Sequence, residues 1–146
     1  MTRRPADEGT ITILVVGFTA VLLLLVAVVV DVSAVVLARR GAASAADGAA
    51  VAAPQQLDTA TVYADGIGTD VPLSPDLVAS VVQQYADDAR EGQPGLTLEP
   101  SLDAAGTTAT VVARRDVTLP FVGWLGVDKV VTVTAVARAR SPLVTP

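Results

Sequence analysis

The hydrophobic and polar positions divide the chain into two parts of different character. Residues 9–30 contain no charged side chain, and Ile11–Val30 consists mostly of Val, Leu and Ile. A helix over this second stretch is about 30 Å long, which matches the hydrocarbon core of a bilayer. Its second half, Val21–Val30, contains only Val, Leu and one Ala, and so has no polar stripe that would face water. We therefore predict a transmembrane helix over residues 10–30.

A cleavable secretory signal is the alternative interpretation of this segment. The apolar region of such a signal is about 7–15 residues long and ends at a small-residue cleavage site. Val32-Ser33-Ala34 would provide that site, but the apolar run is longer, and Asp7 and Glu8 precede it. These features favour a membrane span.

Charges on either side of the span predict its orientation. Arg3 and Arg4 precede it, while Arg39 and Arg40 follow it closely enough to compete. Residues 1–9 are too few to form a domain, whereas long domains are exported largely regardless of charge. We expect residues 1–9 to be a cytoplasmic tail and residues 54–146 to be an extracytoplasmic head.

The helical pattern continues beyond the span into an Ala-rich extension, residues 31–53. This extension contains no proline, and Pro54 ends it. Small side chains three or four positions apart let two helices approach closely. We predict helix–helix packing at Asp31, Gly41, Ala45, Gly48 and Ala52, although Ala-rich composition alone also accounts for a helix here.

Asp31 is the first charge after the span. Its carboxylate either marks the membrane edge in headgroup water or pairs with a base on a partner helix. Arg39 and Arg40 are about two turns away, too far for a pair within one helix. A specific ion pair would therefore need a base from another chain.

The remaining pattern predicts a small α+β head. Ser74-Pro75-Asp76 is a typical helix start, and apolar residues follow at helical spacing until Gly92. Alternation predicts strands over residues 96–99, 107–115 and 129–140, while residues 54–75 have the composition of a loop. We expect one amphipathic helix on a short antiparallel sheet of about three strands.

The connection over residues 119–127 is unusually apolar for a segment between two strands. It contains Phe121, Val122, Trp124 and Leu125 where polar turn residues are expected. These side chains either fold back to cap a small core or form a docking loop for the bilayer interface or a partner subunit.

Composition narrows the chemistry. The chain has neither Cys nor His, which excludes disulfides, thiol nucleophiles and imidazole bases. The formal charge is −5 and the basic residues are scattered, which argues against nucleic acid as a partner. The serines have only Lys129 as a candidate amine base. We predict no enzymatic activity, no cofactor and no metal site.

The N-terminal third resembles the Tad (tight adherence) Flp-pilus TadE/TadG-like family. The likeness rests on the Arg/acidic/Gly tail, the apolar span, Asp31, Ala38-Arg39-Arg40, and the run from Ala45-Ala46-Asp47 to Ala53. It implies a pilin- or pseudopilin-like protein that is anchored in the inner membrane by a long helix and carries a small head outside. The chain departs from the family at Gly41-Ala42 and is shorter than TadG proteins with an adhesion-type domain.

The resemblance implies a non-enzymatic, minor pilin-like component of a Tad-type pilus or a related secretion assembly. Its partners would be the lipid bilayer, other pilin-like subunits and inner-membrane platform proteins. The alternative is a membrane-tethered extracytoplasmic binding module.

The resemblance also implies a candidate processing site. Pilin-type peptidases cut after a glycine just before the apolar run, which is Gly9 here. Processed major pilins are similar in carrying a Glu five residues after the cut, whereas this chain has Leu14. Such a Glu would pair with a neighbouring subunit's N-terminal amine, because an unpaired charge in a lipid-like core is costly. We therefore expect that this chain does not polymerise as a major subunit.

Overall fold

A computed structural model describes residues 6–55, 73–126 and 129–140. Helix α1 (Ala6–Ala52) runs without a break, and a short 3-10 helix (Ala53–Gln55) follows it. The helix ends beside Pro54, which has no backbone N–H to continue the ladder. The long N-terminal helix that extends past the span is therefore confirmed. The predicted loop is described only at its two ends, because residues 56–72 lie outside the described ranges.

The side chains of Ile11–Val30 are exposed almost throughout. Length and composition make this part of α1 suited to crossing a membrane, and it indicates a single-pass membrane protein. So much apolar surface needs a hydrocarbon environment, because water does not solvate it favourably.

Helix α2 (Pro75–Arg90) confirms the predicted amphipathic helix. The Ser74 carbonyl accepts the first hydrogen bond of the helix, from the Val78 amide at 2.9 Å, but the Ser74 side chain makes no capping bond. The buried face is narrower than the apolar pattern, because Val78, Val82 and Ala86 are buried while Leu77 and Tyr85 are exposed.

Three antiparallel strands form the sheet in the order β1-β2-β3, as the predicted meander requires. They are β1 (Leu96–Leu102), β2 (Thr108–Thr118) and β3 (Val130–Arg140). Two of the strands are longer than their alternating patterns suggested. Strand β1 continues through Pro100, which an edge strand tolerates because its outward side needs no N–H donor.

The β1–β2 turn is organised by Asp103. Its carboxylate accepts hydrogen bonds from the amides of Thr107 at 2.8 Å and Thr108 at 3.0 Å. Gly106 has φ 67°, which a residue without a Cβ adopts at little cost. The bond from Thr108, followed by that from Thr107, holds the pKa of Asp103 below its ordinary value.

The core where α1 packs against the sheet contains many alanine side chains. Helix α1 packs across β2 and β3, while α2 packs against β1 and α1. Fully buried Ala42, Ala46 and Ala49 of α1 belong to the same cluster as Ala109 and Ala113 of β2. Such short side chains let a helix lie close to a sheet. The Ala-rich extension is thus part of the head's core.

Candidate functional site

The head returns to α1 at the point where the apolar span ends. Asp31 is only 7% exposed, and its Oδ1 accepts a hydrogen bond from the backbone amide of Phe121 at 3.1 Å. Phe121 lies in the connection between β2 and β3, whose described residues 119–126 we call the tip loop. The carboxylate thus has a hydrogen-bond partner within its own chain. This bond joins the start of the extension to the end of the sheet at which β2 leads into β3.

The tip loop is a compact turn. It contains a short 3-10 helix (Val122–Leu125), and Gly126 follows in the left-handed region with φ 76°. The amide of Leu119 donates to the carbonyl of Lys129 at 2.7 Å, which closes the connection at its base. The aliphatic stem of Lys129 lies over Gly123, where a side chain would leave no room for it.

The predicted docking residues are distributed unevenly over this loop. Leu119 is buried and Val122 is half-buried, whereas Phe121 keeps 44% of its surface exposed. Trp124 and Leu125 lie within the 3-10 helix, and their side chains fall outside the described part of the structure. The loop therefore both covers the edge of the core and presents an aromatic ring outward.

An apolar groove of about 400 Å³ lies between the tip loop and α1, and both elements line it. Seven of its lining residues belong to α1 and three to the tip loop: Leu24, Ala27, Val28, Asp31, Val32, Val35 and Val36, with Leu119, Phe121 and Val122. Asp31 is the single charged residue among them. The groove begins beside the predicted span, at Leu24, and continues past the C-terminal end of the span to Val36.

The small residues of the extension contact α2 and the turn after it. Gly48 lies directly beneath the Tyr85 hydroxyl, and Gly41 lies beneath the Gln93 amide, where an added Cβ would be 2.7 Å from Oε1. Ala45 is buried, and it lines a second, more polar recess with Tyr85. Ala52 is half-buried near the end of α1. The structure thus places Gly48 and Ala45 beside α2 of the same chain, and Gly41 beside the turn that follows α2.

Gly9 lies near the start of α1, with open space on the side where a Cβ would project. Leu14, at the fifth position after the candidate cut, is also exposed on the helix. Neither residue contacts the head in the described structure.

Within the described residues, no group of carboxylates is placed to hold a metal ion. Asp87 pairs with Arg90 on α2, and Glu99 pairs with Arg114 across β1 and β2. These pairs are exposed and contribute little to stability. The features that stand out in the described structure are therefore surfaces for packing.

The contact between Asp31 and Phe121 was not among the sequence expectations. Those expectations offered Asp31 only water or a base as a partner, and the actual donor is a backbone amide. An apolar connection between two strands was the signal that this loop packs against something. Its position beside Asp31 depends on the sheet lying along α1.

Comparison with known proteins finds a likeness over the long helix. Residues 9–56 match a protein family described as putative Flp pilus-assembly TadE/G-like. No curated protein and no solved structure matches the chain. The matched segment contains the apolar span, Asp31 and the alanines on which the head packs. Over residues 9–56, this chain is therefore similar to the Flp pilus-assembly TadE/G-like family.

Proposed function

We propose that this chain is a non-enzymatic, minor pilin-like component of a Tad-type pilus or a related secretion assembly. The observation that carries the proposal is the family match over residues 9–56. This segment is the whole of the long helix apart from its first residues, so the match covers the element that would be shared with other subunits.

The division of α1 supports a pilin-like role. Its first half is apolar and exposed, and its second half is the core helix of a small head. A subunit of this form can be held in a bilayer by the first half, and the same surface can pack against equivalent helices of other subunits. We propose the bilayer, other pilin-like subunits and inner-membrane platform proteins as its partners.

Leu14 supports a minor role. A filament subunit with an apolar residue at this position lacks the carboxylate that would pair with a neighbour's N-terminal amine. We propose that the chain is an accessory subunit, whether or not it is processed at Gly9.

In-frame deletion of the gene in its own host tests this function. We expect loss of surface filaments with the major subunit still present in the cell, and recovery when the full chain is supplied in trans. Filament counts by electron microscopy and immunoblots of sheared material provide the measurement. A complementing chain with Val136→Thr, at an exposed position on the outer face of the sheet, is the matched control.

Normal piliation without the chain would contradict the proposal and favour the membrane-tethered binding module. Abundant filaments built from this chain alone would contradict the minor role.

A further inference from the structure

We propose that the tip loop is a second membrane contact, and that an acyl chain of a bilayer lipid occupies the groove between this loop and α1. The contact would hold the head against the leaflet at the C-terminal end of the span.

The depth of the groove carries the first step. Asp31 directly follows Val30, the last residue of the charge-free run, and its carboxylate is bonded to Phe121. The backbone of the tip loop is therefore level with the end of the span. From there the groove extends along α1 to Leu24, which lies about 10 Å further into the bilayer at 1.5 Å per residue.

The surface of the tip carries the second step. Six large hydrophobic side chains are exposed among the described residues of the head, and three of them lie at this end of the sheet: Phe121, Val130 and Val131. Lys129 directly precedes Val130 in the chain and is exposed. Apolar side chains beside a long basic one are typical of a surface at the membrane interface, where the ammonium group reaches the lipid phosphates.

The charge of Asp31 is compatible with this placement. A carboxylate at the edge of the hydrocarbon is costly unless it is hydrogen-bonded. The Phe121 amide provides that bond, and the rest of the residue is buried. The same bond uses the amide of Phe121, which would otherwise be an unsatisfied donor near lipid.

The length and the position of the groove favour a lipid acyl chain as its occupant. The groove follows α1 from Leu24 to Val36, a rise of about 18 Å. An extended hydrocarbon chain fits along a groove of this length, and Asp31 is the one charged residue that lines it. The groove wall formed by Leu24, Ala27 and Val28 is part of the apolar span itself, so the lipids around the span have direct access to the groove.

Fluorescence quenching of the purified full chain in lipid vesicles tests the contact. Trp124 is the one tryptophan in the chain and lies in the tip loop. In phosphatidylcholine–phosphatidylglycerol vesicles with bromine on the acyl chains near the headgroup, we expect its emission to fall at least about twofold, as for a tryptophan at the interface. The matched control is Trp124→Phe with Val136→Trp, which moves the probe about 20 Å along β3 from the tip. We expect no acyl-chain quenching in that variant.

Photocrosslinking tests the groove. A phosphatidylcholine with a diazirine on its acyl chain is expected to label the tryptic peptide that contains the tip loop. Ala27→Phe fills the groove and should lower this labelling several-fold. Val29→Phe adds the same ring at an exposed position outside the groove and should leave it unchanged.

Emission of Trp124 that responds to aqueous acrylamide but not to brominated lipid would overturn the membrane contact. Equal labelling of the tip loop in Ala27→Phe and in Val29→Phe would overturn the lipid in the groove. Quenching that disappears as the protein-to-lipid ratio rises, with crosslinks between copies, would assign the groove to a second copy. None of these measurements depends on pilus assembly, so they can fail while the proposed function stands.

Discussion

Asp31 illustrates how much one side chain contributes when it joins distant segments. Its partner, Phe121, is 90 positions further along the chain. A hydrogen bond to a charged acceptor contributes about 1.5–3 kcal/mol, and loss of the acceptor leaves a partly buried amide without a partner. The stability of the tip loop therefore depends on this carboxylate.

Substitution of Asp31 separates this role from pairing with another chain. We expect Asp31→Ala to lower the free energy of unfolding by about 1–3 kcal/mol, because the Phe121 amide loses its acceptor. Asp31→Asn keeps an acceptor oxygen and should cost less. Urea unfolding of the full chain in detergent micelles, followed by Trp124 emission, gives the measurement. Ser33→Ala is the control, because its hydroxyl bonds only back to the Val29 carbonyl on the exposed face.

The two hypotheses for Asp31 differ in a second readout. If the carboxylate pairs with a base on a partner, Asp31→Asn should reduce co-purification with the assembly platform as strongly as Asp31→Ala does. Unchanged membrane level and co-purification in Asp31→Asn would contradict that pairing.

The sequence could identify Asp31 but not its partner. Its position as the first charge after an apolar run is visible in one dimension. A backbone amide is present at almost every residue and leaves no signature in the side-chain pattern, so the donor could be found only once the tip loop was placed beside α1.

At the level of elements, the contact between α1 and the sheet depends on side-chain size. Each alanine buries little apolar area, and so contributes little by the hydrophobic effect. The stability of the contact comes from the number of alanines and from the close fit that they allow.

A larger side chain in this contact should therefore be costly. Ala46 is completely buried between α1 and the head. We expect Ala46→Leu to lower the free energy of unfolding by about 1–3 kcal/mol, because the added methyl groups push the helix from the sheet. The control is Val51→Leu, at a position on the same helix that is 64% exposed, which should change stability little. Chemical denaturation of the full chain in micelles checks both, and equal stability of the two variants would show that the core has room to spare.

The sequence predicted most elements and little of their arrangement. The 3.6-residue period of apolar side chains predicted α2, and the alternation of apolar and polar residues predicted the three strands. Both patterns follow from the local geometry of the backbone. Leu77 and Tyr85 fit the apolar spacing of α2 but are exposed, since only a narrow stripe of α2 lies between α1 and β1. That stripe depends on how close the alanines of α1 let the helices come, which is a tertiary property.

At the level of the whole molecule, the orientation of the span decides which compartment contains the head. We expect a reporter that is active only outside the cytoplasm to be active when fused after Pro146, and a cytoplasm-active reporter to be silent there. The long C-terminal part favours export, and Arg3 and Arg4 favour an inside N-terminus. Activity measurements on whole cells provide the test, and a cytoplasm-active reporter fused before Met1 is the control. The opposite pattern would contradict export and, with it, the pilus assignment.

The continuity of α1 has a mechanical consequence. Helix α1 has 47 residues in one unbroken run, with no proline between Ala6 and Ala53, and spans about 70 Å. No break or proline separates its two halves, so the helix connects the span to the head as one continuous element. We therefore expect a rotation or a pull that neighbouring subunits or lipids apply to the apolar half to move the sheet with it, because the same helix packs against the sheet. The orientation of the head is therefore coupled to the orientation of the apolar half of α1. Tension between the two is transmitted along the hydrogen bonds of a single helix.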